Sequence, residues 1–411
     1  MQKKVLFITN SYPAPDYRRL WKKATSLERD GWEVSVICPA GKRKAAKRKI
    51  KGVKIHFYSK TGSGNGSVFS FFWREAADLM KISWKVFWLF VFGRFRVIHI
   101  VNPSDTPGLI GAFYRFLGAR LVYEINESYS GRYRLERIKI KKIDRRVIGI
   151  LERLEKLALW AADLVIVPDF KQKARVARLI RETKNKIITI EPLPDMKDFY
   201  RPFLSRDYKR GFRHMTLYAG SLKIERGVIK LIRAVDFIVN KIGRKDILFV
   251  LAGTGRDEEK IKEYAFRKGI SRYLYFPGWL SQASLLAYMT EADMGVSPEP
   301  ARKGTGVLRD SVFEYLAVGK PVVSFDIKMS QSRIGKAGSF ISDSSEITFA
   351  REIIRILDNK KRSRAMGEMG KIKVERDLNW LKSEIKLLSA YEKLAVPGTG
   401  LGEKGLAGKA A

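Results

Sequence analysis

Short runs of β-branched and aliphatic residues alternate along the chain with stretches whose apolar residues recur at helical spacing, a pattern that predicts parallel strands joined by crossover helices. In the first half the strand candidates are "KVLFIT", "EVSVIC", "VKIHFY", "VIHIV", "RLVYEI", "DLVIV" and "KIITI". In the second they are "MTLYAG", "ILFVLAG", "YLYFPG", "MGVSP" and "PVVSF". Between the two series lies "EPLPDMKDFYRPFLSRDYKRGFRH", from Glu191 to His214, rich in proline and charge and without a clear period, which reads as a linker between domains. Two open α/β sheets joined in this way make a cleft lined by the carboxyl ends of their strands. Beyond the second series, Trp380, Leu381, Ile385, Leu388, Tyr391 and Leu394 keep a helical period, and the glycine-rich tail after them reads as flexible.

Composition narrows the class. A chain of 411 residues suits two domains, and 45% hydrophobic with 11% aromatic residues excludes a disordered protein. Lys and Arg number 80 against 43 Asp and Glu, a formal balance of +37 that implies an anionic partner: phosphate groups, an acidic membrane surface or nucleic acid. The basic residues are diffuse except for "GKRKAAKRKIKGVK", Gly41 to Lys54, which reads as a solvated loop. No nucleic-acid-binding module is recognisable, so nucleic acid is not an expected partner. The single cysteine, Cys38, excludes an internal disulfide, and the start "MQKKVLFITNSYP" shows no signal-peptide pattern. No apolar run approaches the roughly 20 residues of a spanning helix. The expected location is cytoplasmic, with peripheral attachment to the inner face of the membrane.

Two stretches carry candidate chemistry. In "GVLRDSVFEYLAVGKPVVSFD" the carboxylate of Glu314 stands inside an otherwise apolar helix; the plainer reading is a surface residue, the functional one a group holding a polar ligand. In "YAGSLKIERGVIKLIRA" a strand ends at Gly220, and Arg226 with Gly227 precedes a helix whose free N–H groups suit a diphosphate. The histidines His56, His99 and His214 are scattered and no D-x-D motif occurs, so a metal site has little support. "AGTGRDEE" lacks the third glycine of a dinucleotide fingerprint, which argues against an NAD enzyme.

Taken in order, "SYPAPDYRRLWKKATSLERDGWEVSVI", "DTPGLIGAFYRFLGARLVYEINE", "YAGSLKIERGVIKLIRA" and "VFEYLAVGKPVV" resemble the GT-B glycosyltransferases, most closely the large retaining family 4, from Lys3 to about Leu394. The resemblance implies an α/β protein of GT-B architecture, two Rossmann-like domains facing across a cleft. Residues 1–195, completed by a C-terminal helix over 378–394, would bind the acceptor. Residues 205–377 would bind the nucleotide-sugar donor, and 395–411 would form the tail. It implies transfer from a UDP- or GDP-linked sugar, without cofactor or metal, to a glycan, lipid-linked or small-molecule acceptor with retention of configuration.

Residue by residue, the resemblance gives Glu314 the ribose hydroxyls, and a carboxylate can accept from both donors of a vicinal diol. Arg226 takes the diphosphate and is a catalytic candidate. Gly220 and Ser221 belong to the donor loop, with Ser221 where many relatives carry another Arg. The backbone N–H groups of Val307 and Leu308 would meet the sugar-phosphate, and Trp279 or Leu280 would lie near the base. On the acceptor side stand Arg19, Glu127 and Asn126. Asn126 replaces the usual His and is the second catalytic candidate; its plainer reading is a strand-end turn residue. Gly306 and Ser311 replace a Glu and a Lys of the family, with Lys303 or Arg309 as candidates to supply the missing charge. These departures leave a noncatalytic GT-B subunit as the alternative; nothing favours a phosphorylase or an epimerase. Finally, Ser67 to Arg96 mixes aromatic residues, Phe71, Phe72, Trp73, Trp84, Phe87, Trp88, Phe90 and Phe92 among them, with Arg and Lys, the composition of an interfacial helix, against the plainer reading of a crossover helix buried on the sheet.

Overall fold

The structure, a computed structural model, describes residues 3–10, 13–14, 17–40, 49–62, 68–101, 107–126, 145–180, 185–199, 207–299, 310–325 and 332–396. They fall into two compact units, Met1–Glu191 with Ser383–Ala411, and Pro192–Lys382.

The first unit is built on β1 (Lys4–Ile8), β2 (Glu33–Pro39), β3 (Lys49–Ile50), β4 (Val53–Tyr58), β5 (Val97–Val101), β6 (Arg120–Glu124), β7 (Leu164–Val167) and β8 (Ile187–Thr189). Their order is β3-β4-β2-β1-β5-β6-β7-β8, parallel except for the β3–β4 hairpin. The central strands read as unbroken apolar runs because both faces are covered. On one face α2 (Val68–Gly93), α3 (Pro107–Phe116), α4 (Arg145–Ala161) and α5 (Phe170–Leu179) share a core with Leu6, Ile8, Ile98, Ile100, Leu121 and Tyr123. The other residues of the same strands, Phe7, His99 and Glu124 among them, point the opposite way, as the two-residue period requires. Helix α1 (Arg18–Arg29) sends Lys23 to that side.

The second unit carries β9 (His214–Ala219), β10 (Ile247–Ala252), β11 (Leu274–Gly278), β12 (Met294–Ser297), β13 (Val322–Phe325) and β14 (Gly338–Ile341), all parallel, in the order β11-β10-β9-β12-β13-β14. Its helices are α6 (Val228–Asp236), α7 (Glu258–Arg267), α8 (Gln282–Glu291), α9 (Asp310–Ala317), α10 (Glu346–Asp358) and α11 (Lys360–Arg376). One core lies under α6, α7 and α10, and a second on the opposite face under α8 and α9. Helix α12 (Trp380–Ala395) follows, and from Ser383 onward it groups with the first unit.

The segment read as a linker is ordered where it is described. Leu193 is buried in the core under α9, Tyr208 rests edge-on against Tyr288 at 4.5 Å, and Arg210 lies over the Tyr275 ring at 4.1 Å. Its prolines and charges hid these anchors. The same packing moves the unit bounds relative to the expected 1–195 and 205–377: residues 192–195 and 378–382 belong to the second unit, tied in through Leu193 and Leu378. The end of the basic run is a hairpin rather than a loop, Lys49 pairing with Lys54 and Ile50 with Val53. The tail beyond Val396 lies outside the described residues.

Candidate functional site

In a doubly wound sheet the binding crevice opens where strand order reverses, above the carboxyl ends of the two strands that flank the reversal. In the second unit these are β9 and β12. Strand β9 leads through Gly220 and Ser221 into a 3-10 turn, Ile224–Arg226, then Gly227 and the first turn of α6. The chain passes so close to the end of β12 that a Cβ at Gly227, whose φ is +77°, would strike the Pro298 carbonyl. Gly253, at φ +140°, lies against the Gly220 carbonyl in the same way. Both positions need glycine for conformation and for space.

Arg226 is held over this point. Its Nη1 donates to Glu299 Oε1 at 3.1 Å, which joins the start of α6 to the segment after β12. The loop is braced from below: Asp257 Oδ2 accepts from the Ile224 N–H at 3.0 Å, and the Tyr218 hydroxyl donates to the Ser221 carbonyl at 2.9 Å. Burial, reinforced by the Glu299 carboxylate, pushes the Tyr218 phenol up against a smaller opposite pull from Arg226. Tyr315 on α9 is driven well above the ordinary phenol range by burial, and it also feels Tyr218 and Glu314. Its ring fills the space over Gly295 of β12 where a side chain would otherwise stand. These contacts set α9 beside the strand ends.

Glu314 therefore sits on a helix whose residues from Val312 to Ala317 are all buried, and is itself 7% exposed. It is not a solvated face residue. Trp279, by contrast, is exposed at the end of β11, while Leu280 packs into the core beneath α8. Val307 and Leu308, with Lys303, Gly306 and Arg309, lie outside the described residues, as does Glu127.

In the first unit the sequence paired two residues without knowing it. Arg19 Nη1 donates to Asn126 Oδ1 at 3.4 Å, so α1 and the end of β6 present a guanidinium and an amide together. Beneath them runs a chain that sequence reading missed. Lys23 Nζ donates to Glu124 Oε1 at 3.0 Å, the other carboxylate oxygen meets His99 Nε2 at 3.1 Å, and His99 Nδ1 meets the Tyr391 hydroxyl at 2.6 Å. All four residues are buried. Burial works to raise the Glu124 carboxyl, but the Lys23 ammonium and His99 outweigh it and hold it at about 2. Burial pushes His99 down, so its ring is neutral. The available signal was a carboxylate inside the apolar run "RLVYEI". Among the described residues, no cluster of His, Cys, Asp or Glu forms a metal site.

Residues 207–373 match the family model for glycosyl transferases group 1. The match lies within the second unit. Several solved structures share the fold of the whole chain. A sucrose-phosphate synthase from Thermosynechococcus elongatus superposes with a TM-score of 0.74 at 16% identity, covering 95% of this chain and 99% of that one. HepE from Anabaena, solved with UDP and glucose, gives 0.69 at 14% identity over 95% and 100%. The chain thus has the GT-B fold. In sequence, an uncharacterized glycosyltransferase of Methanocaldococcus jannaschii is 26% identical over 179 residues, 43% of this chain and 44% of its own length. A GDP-mannose-dependent mannosyltransferase of Corynebacterium glutamicum acting on a monoacylated phosphatidylinositol monomannoside is 25% identical over 159 residues, 38% of this chain and 41% of its own. The chain spans about half the length of the curated relatives it matches.

Proposed function

We propose that the protein is a glycosyltransferase that takes a sugar from a UDP- or GDP-linked donor, bound by the second unit, and passes it with retention to a glycan, lipid-linked or small-molecule acceptor. The observation that carries this reading is the placing of Arg226 at the start of α6, across the strand reversal, with the buried carboxylate of Glu314 on α9, the helix that packs on β12. A diphosphate at that helix start meets free N–H groups and a guanidinium whose fork can bridge two oxygens. Glu314 would accept the ribose hydroxyls, and Gly220 with Ser221 would leave room for the phosphates. Because Asn126 cannot act as a base, the leaving diphosphate itself would take the acceptor proton, and Arg226 would stabilise the charge growing on it. Arg19 and Asn126 would position the acceptor.

Calorimetric titration with UDP and GDP tests the site. Arg226→Ala and Glu314→Ala should each weaken nucleotide binding by about tenfold or more, the loss of a charge-assisted hydrogen bond. Unchanged affinity in Glu314→Ala would remove the assignment. NMR of the product anomeric proton reads the stereochemistry, and an inverted linkage would overturn the retaining mechanism. Nucleotide binding without turnover of any donor and acceptor pair would favour the noncatalytic subunit.

A further inference from the structure

Helices α2, α3 and α4 lie side by side on one face of the first unit's sheet, α2 against α3 and α3 against α4. Their inner residues, Ile82 and Val86, Ile110 and Tyr114, Ala158 and Leu159, fill the core and satisfy the need for a crossover face. Their outer faces are apolar as well. Trp84 is 65% exposed, Phe92 72%, Phe116 89% and Trp160 66%. Along α2 the exposed rings form a ladder, Trp84 to Trp88 at 5.7 Å and Trp88 to Phe92 at 5.2 Å. Rings spaced in this way cannot reach the unit's own core, and a soluble surface rarely keeps such a patch without a use.

The exposed charges around it are of one sign, with Glu75 and Glu152 half-buried. Arg94, Arg96, Arg153 and Lys156 are exposed at the ends and flank of the patch, whereas none of the carboxylates on the three helices is exposed. Asp78 is turned inward to the Thr61 backbone N–H and hydroxyl, and Glu155 to Arg175 at 2.6 Å. A second copy laid on this face would bring like charge against like charge. An anionic bilayer offers apolar depth for the rings and phosphates for the cations, and aromatic residues favour that boundary. No described helix is long and apolar enough to cross a membrane, so α2 would lie along the surface.

We propose that the outer faces of α2, α3 and α4 together form a docking surface for an anionic lipid bilayer. It stands independently of the donor site. The test is co-sedimentation of the full chain with vesicles of phosphatidylcholine alone and with about one-third phosphatidylglycerol, over a range of salt. The anionic vesicles should bind at least about tenfold more tightly than the neutral ones, and binding should weaken without vanishing at about 0.5 M salt. Combined Trp84→Ser, Trp88→Ser and Phe92→Ser should lower binding about tenfold or more while the thermal midpoint and UDP affinity stay unchanged. Arg94→Glu with Arg96→Glu should erase most of the preference for anionic lipid. Absence of wild-type binding, or full binding by the triple variant, would overturn the proposal. A wild-type dimer that the triple substitution dissolves, without vesicle binding, would assign the face to a second copy instead.

Discussion

At the scale of single residues, the chain from Lys23 through Glu124 and His99 to Tyr391 has large energetic leverage, because all of its members are buried. Removing one partner of a buried ion pair leaves the other charge without compensation, which costs more than the pair itself contributes. Glu124→Gln should therefore lower stability to urea at neutral pH by about 3–5 kcal/mol through the stranded Lys23 ammonium. The pH dependence has a definite sign. The stabilisation held by Glu124 is complete above its ordinary 4.5 and is lost as pH falls toward its depressed value of about 2. His99, pushed below its ordinary 6.5, stays neutral while the unfolded chain takes up a proton, so its effect also removes stability as pH falls. The wild type should lose stability from about pH 6.5 downward, and the Gln variant less steeply below about pH 4.5; chemical denaturation at stepped pH reads both.

At the scale of elements, the turn from β9 into α6 shows what glycine does for the proposed donor site. Gly227→Ala must both hold a left-handed backbone and push its Cβ against the Pro298 carbonyl. It should destabilise the protein by about 2 kcal/mol or more and, by moving Arg226, weaken UDP binding, both readable in one nucleotide-dependent thermal-shift series. Gly243→Ala, at φ +81° but with open space around it, should bear only the conformational cost and leave UDP affinity alone. Local pattern made much of this legible. "MTLYAG" and "ILFVLAG" declare their strands by composition, and Arg226-Gly227 before an amphipathic run declares a helix start. The apolar setting singled out Glu314 and the resemblance to GT-B enzymes gave it a role, but only packing shows that α9 is buried from Val312 to Ala317. What stayed hidden was either short or distant. Strand β14 begins on a glycine, Gly338 in "GKAGSFI", and has too few residues to show a period. Glu299 meets Arg226 from 73 positions away, and Tyr391 meets His99 from 292 away, separations that leave no local trace.

At the scale of the whole molecule, the two units were foreseeable from the two series of strands, yet the first of them is not a continuous piece of chain. Residues Pro192–Lys382 come between its sheet and the helix that completes it. That helix is secured by Tyr391 against His99 and edge-on to Trp32 at 5.2 Å, by Glu384 to Arg29 at 2.7 Å, and by the Ser383 hydroxyl donating to the Glu191 carbonyl at 2.9 Å. A fragment Met1–Glu191 should therefore be poorly ordered alone and should gain protection from proteolysis when a peptide of residues 378–396 is added; equal resistance without the peptide would refute this dependence. The same arrangement fixes an order of events at the ribosome. At a synthesis rate of about 5–20 residues per second, the sheet of the first unit emerges roughly ten to forty seconds before its last helix does. During that interval, in which the second unit itself is made, Glu124 and His99 lack their final cover. The newborn chain thus exposes an apolar sheet face longest on the side that Tyr391 will close, and a chaperone that captures this protein should do so there, releasing it only when the last helix arrives.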